Sequence, residues 1–182
     1  MEEQSTERSL EEGEVKPHVI RLRGRWDFEP LARTVLLADG TTRSEPGTLP
    51  PAGRAQLPAD WDELLGNDFR GRVRFGRHFN CPTGLTSRHQ VTLTIEEVDA
   101  FGDAKLNDRS LGALAHARSP YRFEITSKLK QRNDLVVEIE LPRLTKESAS
   151  LERPKESNLS GGWIGEVRLE ILEEVLKPDD HV

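Results

Sequence analysis

The sequence predicts an all-β fold, a sandwich or barrel of about eight short antiparallel strands. Three observations carry this expectation. Apolar and polar residues alternate with a period of two in one run after another. Turn-forming residues stand between the runs, and the polar faces are charged, as in antiparallel sheets with one face in water. Sustained helical periodicity is missing; Asp62–Leu65 and Ser127–Lys130 have room for one helical turn each.

Residues 1–17 carry six glutamates and few apolar residues, and read as a solvated acidic tail or a marginal helix. From His18 to Phe28 a single strand is expected, with Ile20, Leu22, Trp26 and Phe28 on one face and Arg21, Arg23, Arg25 and Asp27 on the other. Val35-Leu36-Leu37, Asp39-Gly40 and Thr41-Thr42 read as a short hairpin. Residues 43–60 are rich in Pro and Gly and are expected to be irregular. Trp61 either caps the sandwich or lies exposed, with packing the favoured reading.

Val73, Phe75 and Phe79 share a face in the next strand, and Val91, Leu93 and Ile95 in the one after. The parity slips at Glu96-Glu97-Val98, the mark of a bulge or a strand end. Ala104 and Leu106 lead into a turn at Asn107-Asp108. Three further alternating runs follow: Tyr121–Ile125, Leu135–Leu141 and Val167–Ile171. Between the last two, residues 143–160 form a long polar stretch of Lys, Glu, Ser, Arg and Pro, whose composition favours mobility over a binding loop. The domain is therefore expected to span 18–172, between the acidic tail 1–17 and a C-terminal tail 173–182.

Composition narrows the function classes. The net charge of −6 argues against nucleic acid as a partner. A single cysteine, Cys81, excludes an intrachain disulfide framework and any multi-cysteine metal site, and reads as a buried structural residue. No apolar run is long enough to cross a membrane, and the acidic start does not resemble a secretion signal, so a cytoplasmic location is the default expectation. The five histidines are scattered, and neither a nucleophile elbow nor a phosphate-binding glycine loop occurs. Adjacent glutamates such as Glu96-Glu97 point to opposite faces of a strand and cannot flank a sugar as a catalytic pair. No catalytic residue, metal ligand or cofactor is therefore expected; a structural calcium is allowed but no motif indicates one.

Several stretches, in order, resemble the N-terminal sugar-binding domain of glycoside hydrolase family 2 enzymes, the β-galactosidases, β-glucuronidases and β-mannosidases. They are Arg25-Trp26-Asp27-Phe28, Leu57-Pro58-Ala59-Asp60-Trp61, Val73–Phe79, the hairpin Ala104–Gly112, Pro120–Thr126, Lys130–Val137 and Gly161-Gly162-Trp163-Ile164-Gly165-Glu166-Val167. The resemblance implies a jelly-roll β-sandwich of the galactose-binding-like kind. The sequence departs from the family at Arg74-Phe75, where the family has Trp-Tyr, at Asp108, where it has Gly, and at Gly165, where it has Arg. A (β/α)₈ barrel alone needs roughly 250 residues, so the 182 residues here cannot also hold the family's catalytic domain.

The function expected from this resemblance is non-catalytic carbohydrate binding. The alternative is a protein-interaction module using the same sandwich without sugar, and a small hydrolase ranks third. The expected ligand site joins Trp163 as a stacking face, Glu156 and Asn158 as hydroxyl partners and Asn107 in the hairpin. Trp163 also has a plain structural reading, as a cap on the core. Glu156 falls where the resembled enzymes have an acidic residue that reaches toward substrate.

Overall fold

The computed structural model describes residues 16–115, 120–148, 162–163 and 165–173. Two mainly antiparallel sheets face each other across one core, the all-β sandwich expected. The small sheet has the order β1 (His18–Arg21), β14 (Val167–Glu173), β6 (His89–Ile95), β10 (Tyr121–Glu124). The large sheet runs β12 (Arg143–Leu144), β2 (Arg25–Leu36), β5 (Gly71–Asn80), β11 (Arg132–Leu141), β8 (Phe101–Leu106), β9 (Arg109–Leu114). On the other edge of β2 lie β3 (Thr42–Glu45) and β4 (Gly53–Gln56). A third, two-stranded pairing joins β7 (Val98–Asp99) to β13 (Gly162–Trp163).

Period-two alternation builds the core directly. Trp26, Phe75, Ala104, Leu106, Val137 and Ile139 point inward from the large sheet, and Val91, Leu93, Ile95 and Leu169 from the small one. Trp26 is fully buried, and its Nε1 donates to the Leu22 carbonyl at 3.2 Å. Trp61 packs, as favoured from sequence. It opens the short helix α1 (Trp61–Leu65), stacks on Phe69 at 6.0 Å between ring centroids and donates from Nε1 to the Phe69 carbonyl. Asp60 caps that helix by accepting from the Asp62 and Glu63 amides.

The structure corrects several expectations. His18–Phe28 is not one strand but two in different sheets, because the chain crosses the sandwich at Leu22–Gly24. Gly24 turns there with φ of 109°, and the Arg77 guanidinium pins the crossing by donating to the carbonyls of Arg23 and Arg25 at 2.9 Å. Alternation passes through the crossing unbroken because Ile20, Leu22, Trp26 and Phe28 all still face the same core from either side. Residues 43–60 are not wholly irregular: β3 and β4 both add to the free edge of β2. Residues 143–144 likewise pair in parallel with β2 rather than opening a loop. Cys81 and Phe123, both expected in the core, are half-buried.

Candidate functional site

The hairpin β8–β9 turns at Asn107 and Asp108, with φ of 53° and 65°. Positive φ at both central residues is the turn that matches strand twist. Asn107 is held there by its own amide. Its Oδ1 accepts from the Asp134 backbone N–H at 3.0 Å, and its Nδ2 donates to the Lys128 carbonyl and to Asn133 Oδ1. Asn133 is fully buried and bonds both backbone groups of Lys130. These partners engage both amide protons of Asn107, leaving one lone pair of Oδ1 for any ligand.

The other residues of the expected site lie elsewhere. Glu156 and Asn158 fall outside the described residues. The backbone of Trp163 pairs with Val98 in β7, just before β8 begins. Asn107 closes the opposite end of β8, about 20 Å away at a strand's rise per residue. The small sheet runs the same way: the Val91 end of β6 bonds Ile125 and Thr126 beside the Lys128 turn, while its Ile95 end leads to β7. Trp163 and Asn107 therefore stand at opposite ends of the sandwich and do not share a site.

What does lie at the β7–β13 end is a shallow cleft on the outer face of the large sheet. Its volume is about 300 Å³, the lower end of ligand-pocket sizes. Strand register builds it. Arg72, Glu140 and Phe101 are direct neighbours across β5, β11 and β8, and Glu29, Arg74, Glu138 and Asp103 form the next row. Gly102 lets β8 lie tight on β11, since a Cβ there would stand 2.2 Å from the Glu138 carbonyl oxygen.

Phe101 is the informative side chain. It is 46% exposed, one of two large apolar side chains so exposed among the described residues. Around it stand three carboxylates and a guanidinium. Arg72 Nη2 lies 3.3 Å from Glu140 Oε2, Arg74 donates to Glu138 at 2.9 Å, and Lys105 stands 3.6 Å from Asp103. Glu140 Oε1 is out of contact with water and has no hydrogen-bond partner among the described residues. A ring face beside ionic acceptors and a donor can stack on an apolar surface and take hydroxyl hydrogen bonds at its edge. Among the described residues, no group of three metal-ligating side chains is close enough to hold an ion, and no helix is long and apolar enough to cross a membrane.

The sequence reading missed Phe101 because it falls in the parity slip after Ile95. The available signal was that Phe101 shares its parity with Asp103 and Lys105, the outward residues of β8, rather than with Ala104 and Leu106.

Residues 70–170 match the family model described as glycosyl hydrolase 2 galactose-binding domain-like. No curated protein matches the chain significantly. Among solved structures, a Bifidobacterium dentium β-glucuronidase complexed with coumarin-3-O-glucuronide is similar over 93% of this chain and 31% of its own, with 21% identity and a TM-score of 0.63. A Faecalibacterium prausnitzii β-glucuronidase is similar over 96% of this chain and 33% of its own, at 16% identity and a TM-score of 0.60. A putative β-galactosidase from Bacteroides fragilis is similar over 87% and 24%, at 18% identity and 0.59. At such identities the likeness is one of fold, and the chain spans about a third or less of each neighbour's length. The match is to the galactose-binding-like domain and not to a catalytic barrel. With more than half of its length matched, and with the sandwich expected of that domain, the chain belongs to the glycosyl hydrolase 2 galactose-binding domain-like family.

Proposed function

We propose that this domain is a non-catalytic carbohydrate-binding module whose ligand sits in the Phe101 cleft. The observation that carries the reading is one exposed aromatic ring set among Arg72, Asp103, Glu138 and Glu140 on an otherwise charged sheet face. A pyranose has an apolar C–H face for the ring and a rim of hydroxyls for the carboxylates and the guanidinium. Asp103 and Glu138, with Arg72, offer the acceptors and the donor for those hydroxyls. Trp163, whose strand pairs with β7 at this end, is proposed to add a second contact, with Glu156 and Asn158 preceding it in the chain. Asn107 has no part in this cleft.

One ring face and a few solvent-edge hydrogen bonds support an affinity near millimolar, about −4 kcal/mol. Bond cleavage is not proposed, since the family match is to a domain other than the catalytic barrel. Nucleic acid and membranes are not proposed as partners either, and the net charge of −6 supports that exclusion for nucleic acid.

An arrayed glycan screen of the chain beside its Phe101→Ala variant tests the reading. Binding to a subset of neutral glycans, lost in the variant, supports it. A chain that captures no glycan leaves Phe101 as the anchor of a protein interface instead.

A further inference from the structure

The opposite end of the sandwich holds a second and larger groove, of about 530 Å³. It is set by the crossing of the chain between sheets. β2 pairs with β5 only up to Asp27 and Gly76, so residues 77–80 of β5 run on without β2 beside them. Arg72 and Asn80 mark the two ends of this stretch of β5, about 26 Å apart along the strand, so the groove is separate from the Phe101 cleft.

Leu22, Phe79 and Leu169 give the groove an apolar lining, and Arg77 and Arg132 bring positive charge to it. The charge is not cancelled locally. Arg77 donates only to the neutral carbonyls of Arg23 and Arg25, and its Nε is buried with no hydrogen-bond partner among the described residues. The exposed Arg132 guanidinium pairs with no carboxylate among the described residues. Of the other ionisable groups of the groove, Arg21 pairs with Glu166 at 3.1 Å, and His78 Nδ1 lies 3.4 Å from Asp134 Oδ1. In a chain of net charge −6, the exposed Arg132 guanidinium at the rim of an apolar groove, with the engaged Arg77 behind it, marks a local preference for an anion.

We propose that this groove binds a small amphipathic carboxylate: an organic acid with one apolar ring face and one anionic group. The apolar lining takes the ring, and a guanidinium takes the carboxylate through two parallel N–H donors. A neutral ring leaves the charge unanswered, and a bare inorganic anion leaves the apolar lining uncovered. The volume lies within the usual range of small-ligand sites.

The test is an NMR titration of the ¹⁵N-labelled full chain with sodium benzoate at constant ionic strength, with benzyl alcohol and inorganic phosphate in parallel. Benzoate is expected to give saturable shifts at the Leu22, Phe79 and Leu169 amides and none at Phe101. Arg132→Gln is expected to weaken benzoate at least about tenfold with an unchanged melting temperature, since the variant loses a charge-assisted hydrogen bond on the surface. Arg77→Gln is less clean, because Arg77 also pins the crossing. The proposal is overturned if benzoate does not saturate, if either control binds equally well, or if Arg132→Gln binds like the parent.

Discussion

Replacing Asn133 with alanine tests the buried amide knot that holds the Asn107 hairpin to the start of β11. Asn133 is fully buried and makes three side-chain hydrogen bonds. Its Oδ1 accepts from the Lys130 N–H at 2.8 Å and from Asn107 Nδ2 at 3.0 Å, and its Nδ2 donates to the Lys130 carbonyl at 2.8 Å. Alanine deletes all three in a place that solvent does not reach. At about 1 kcal/mol net for each bond, the expected loss is about 3 kcal/mol. For a chain of this size that lowers the melting temperature by roughly 6–12 °C. Urea unfolding followed by the fluorescence of buried Trp26 and Trp61 measures it, with the m-value expected to stay constant. A loss below about 1 kcal/mol would refute the reasoning, because it would mean that the orphaned groups find other partners at no cost.

Asn133→Asp sharpens the test. The carboxylate keeps both acceptor roles but sets an oxygen against the Lys130 carbonyl, where the amide had a donor. Protonation restores a donor, so the folded-state pKa of the new aspartate stands above its unfolded value of about 3.9. A raised acid pKa adds stability at low pH that disappears as pH rises through the folded value. The deficit of this variant relative to the parent is therefore expected to shrink on acidification, whereas that of Asn133→Ala stays constant.

Three further outcomes are expected. Asp108→Gly stabilises by a few tenths of a kcal/mol up to about 1, because φ at Asp108 is 65° and glycine adopts it freely; a clear drop in melting temperature would give the Asp108 side chain a role. Gly102→Ala destabilises by about 3 kcal/mol or more, since its Cβ meets backbone on β11 that cannot step aside; an unchanged melting temperature would contradict the β8–β11 register. Hydrogen bonds from Arg143, Thr126 and Arg88 hold the carboxyl pKa values of Glu45, Glu124 and Glu173 below the usual 4.5. Their stabilising contribution is present above 4.5 and is lost as pH falls through the lowered folded values, so acid titration of the melting temperature should show a decline in that window, shallower in a Glu45→Gln, Glu124→Gln, Glu173→Gln triple variant.

The core was legible in the sequence because a half-buried strand writes its inward face as a period of two. Val73 and Phe75, Val91 to Ile95, and Leu135 to Leu141 all point inward as their alternation requires. What alternation cannot record is which sheet a strand belongs to. Ile20 and Trp26 share a parity and a core, yet they sit in β1 and β2 on opposite sides of the sandwich, with Gly24 as the sole local sign of the crossing. The edge strands β3 and β4 were hidden for a related reason: Thr42–Glu45 and Gly53–Gln56 lie mostly exposed and need no apolar face. The Phe101 cleft is assembled from three strands distant in sequence, so only the register of β5, β11 and β8 brings Arg72, Glu140 and Phe101 into one row. The groove at Arg77 and Arg132 likewise depends on where β2 departs from β5.

The central claim, that the Phe101 cleft receives a sugar, is tested most directly by mapping ¹⁵N chemical shifts during titration with galactose, glucose and mannose. Neutral sugars keep the result separate from the anion groove. The account predicts saturable shifts confined to the amides of Phe101, Gly102, Asp103, Glu138 and Glu140 for at least one sugar, with a dissociation constant near 1 mM. Phe101→Ala should abolish them while barely moving the melting temperature, because that ring is 46% exposed. Shifts absent up to about 50 mM of every sugar, a concentration well above the affinity expected here, would contradict the claim, as would shifts that persist unchanged in Phe101→Ala.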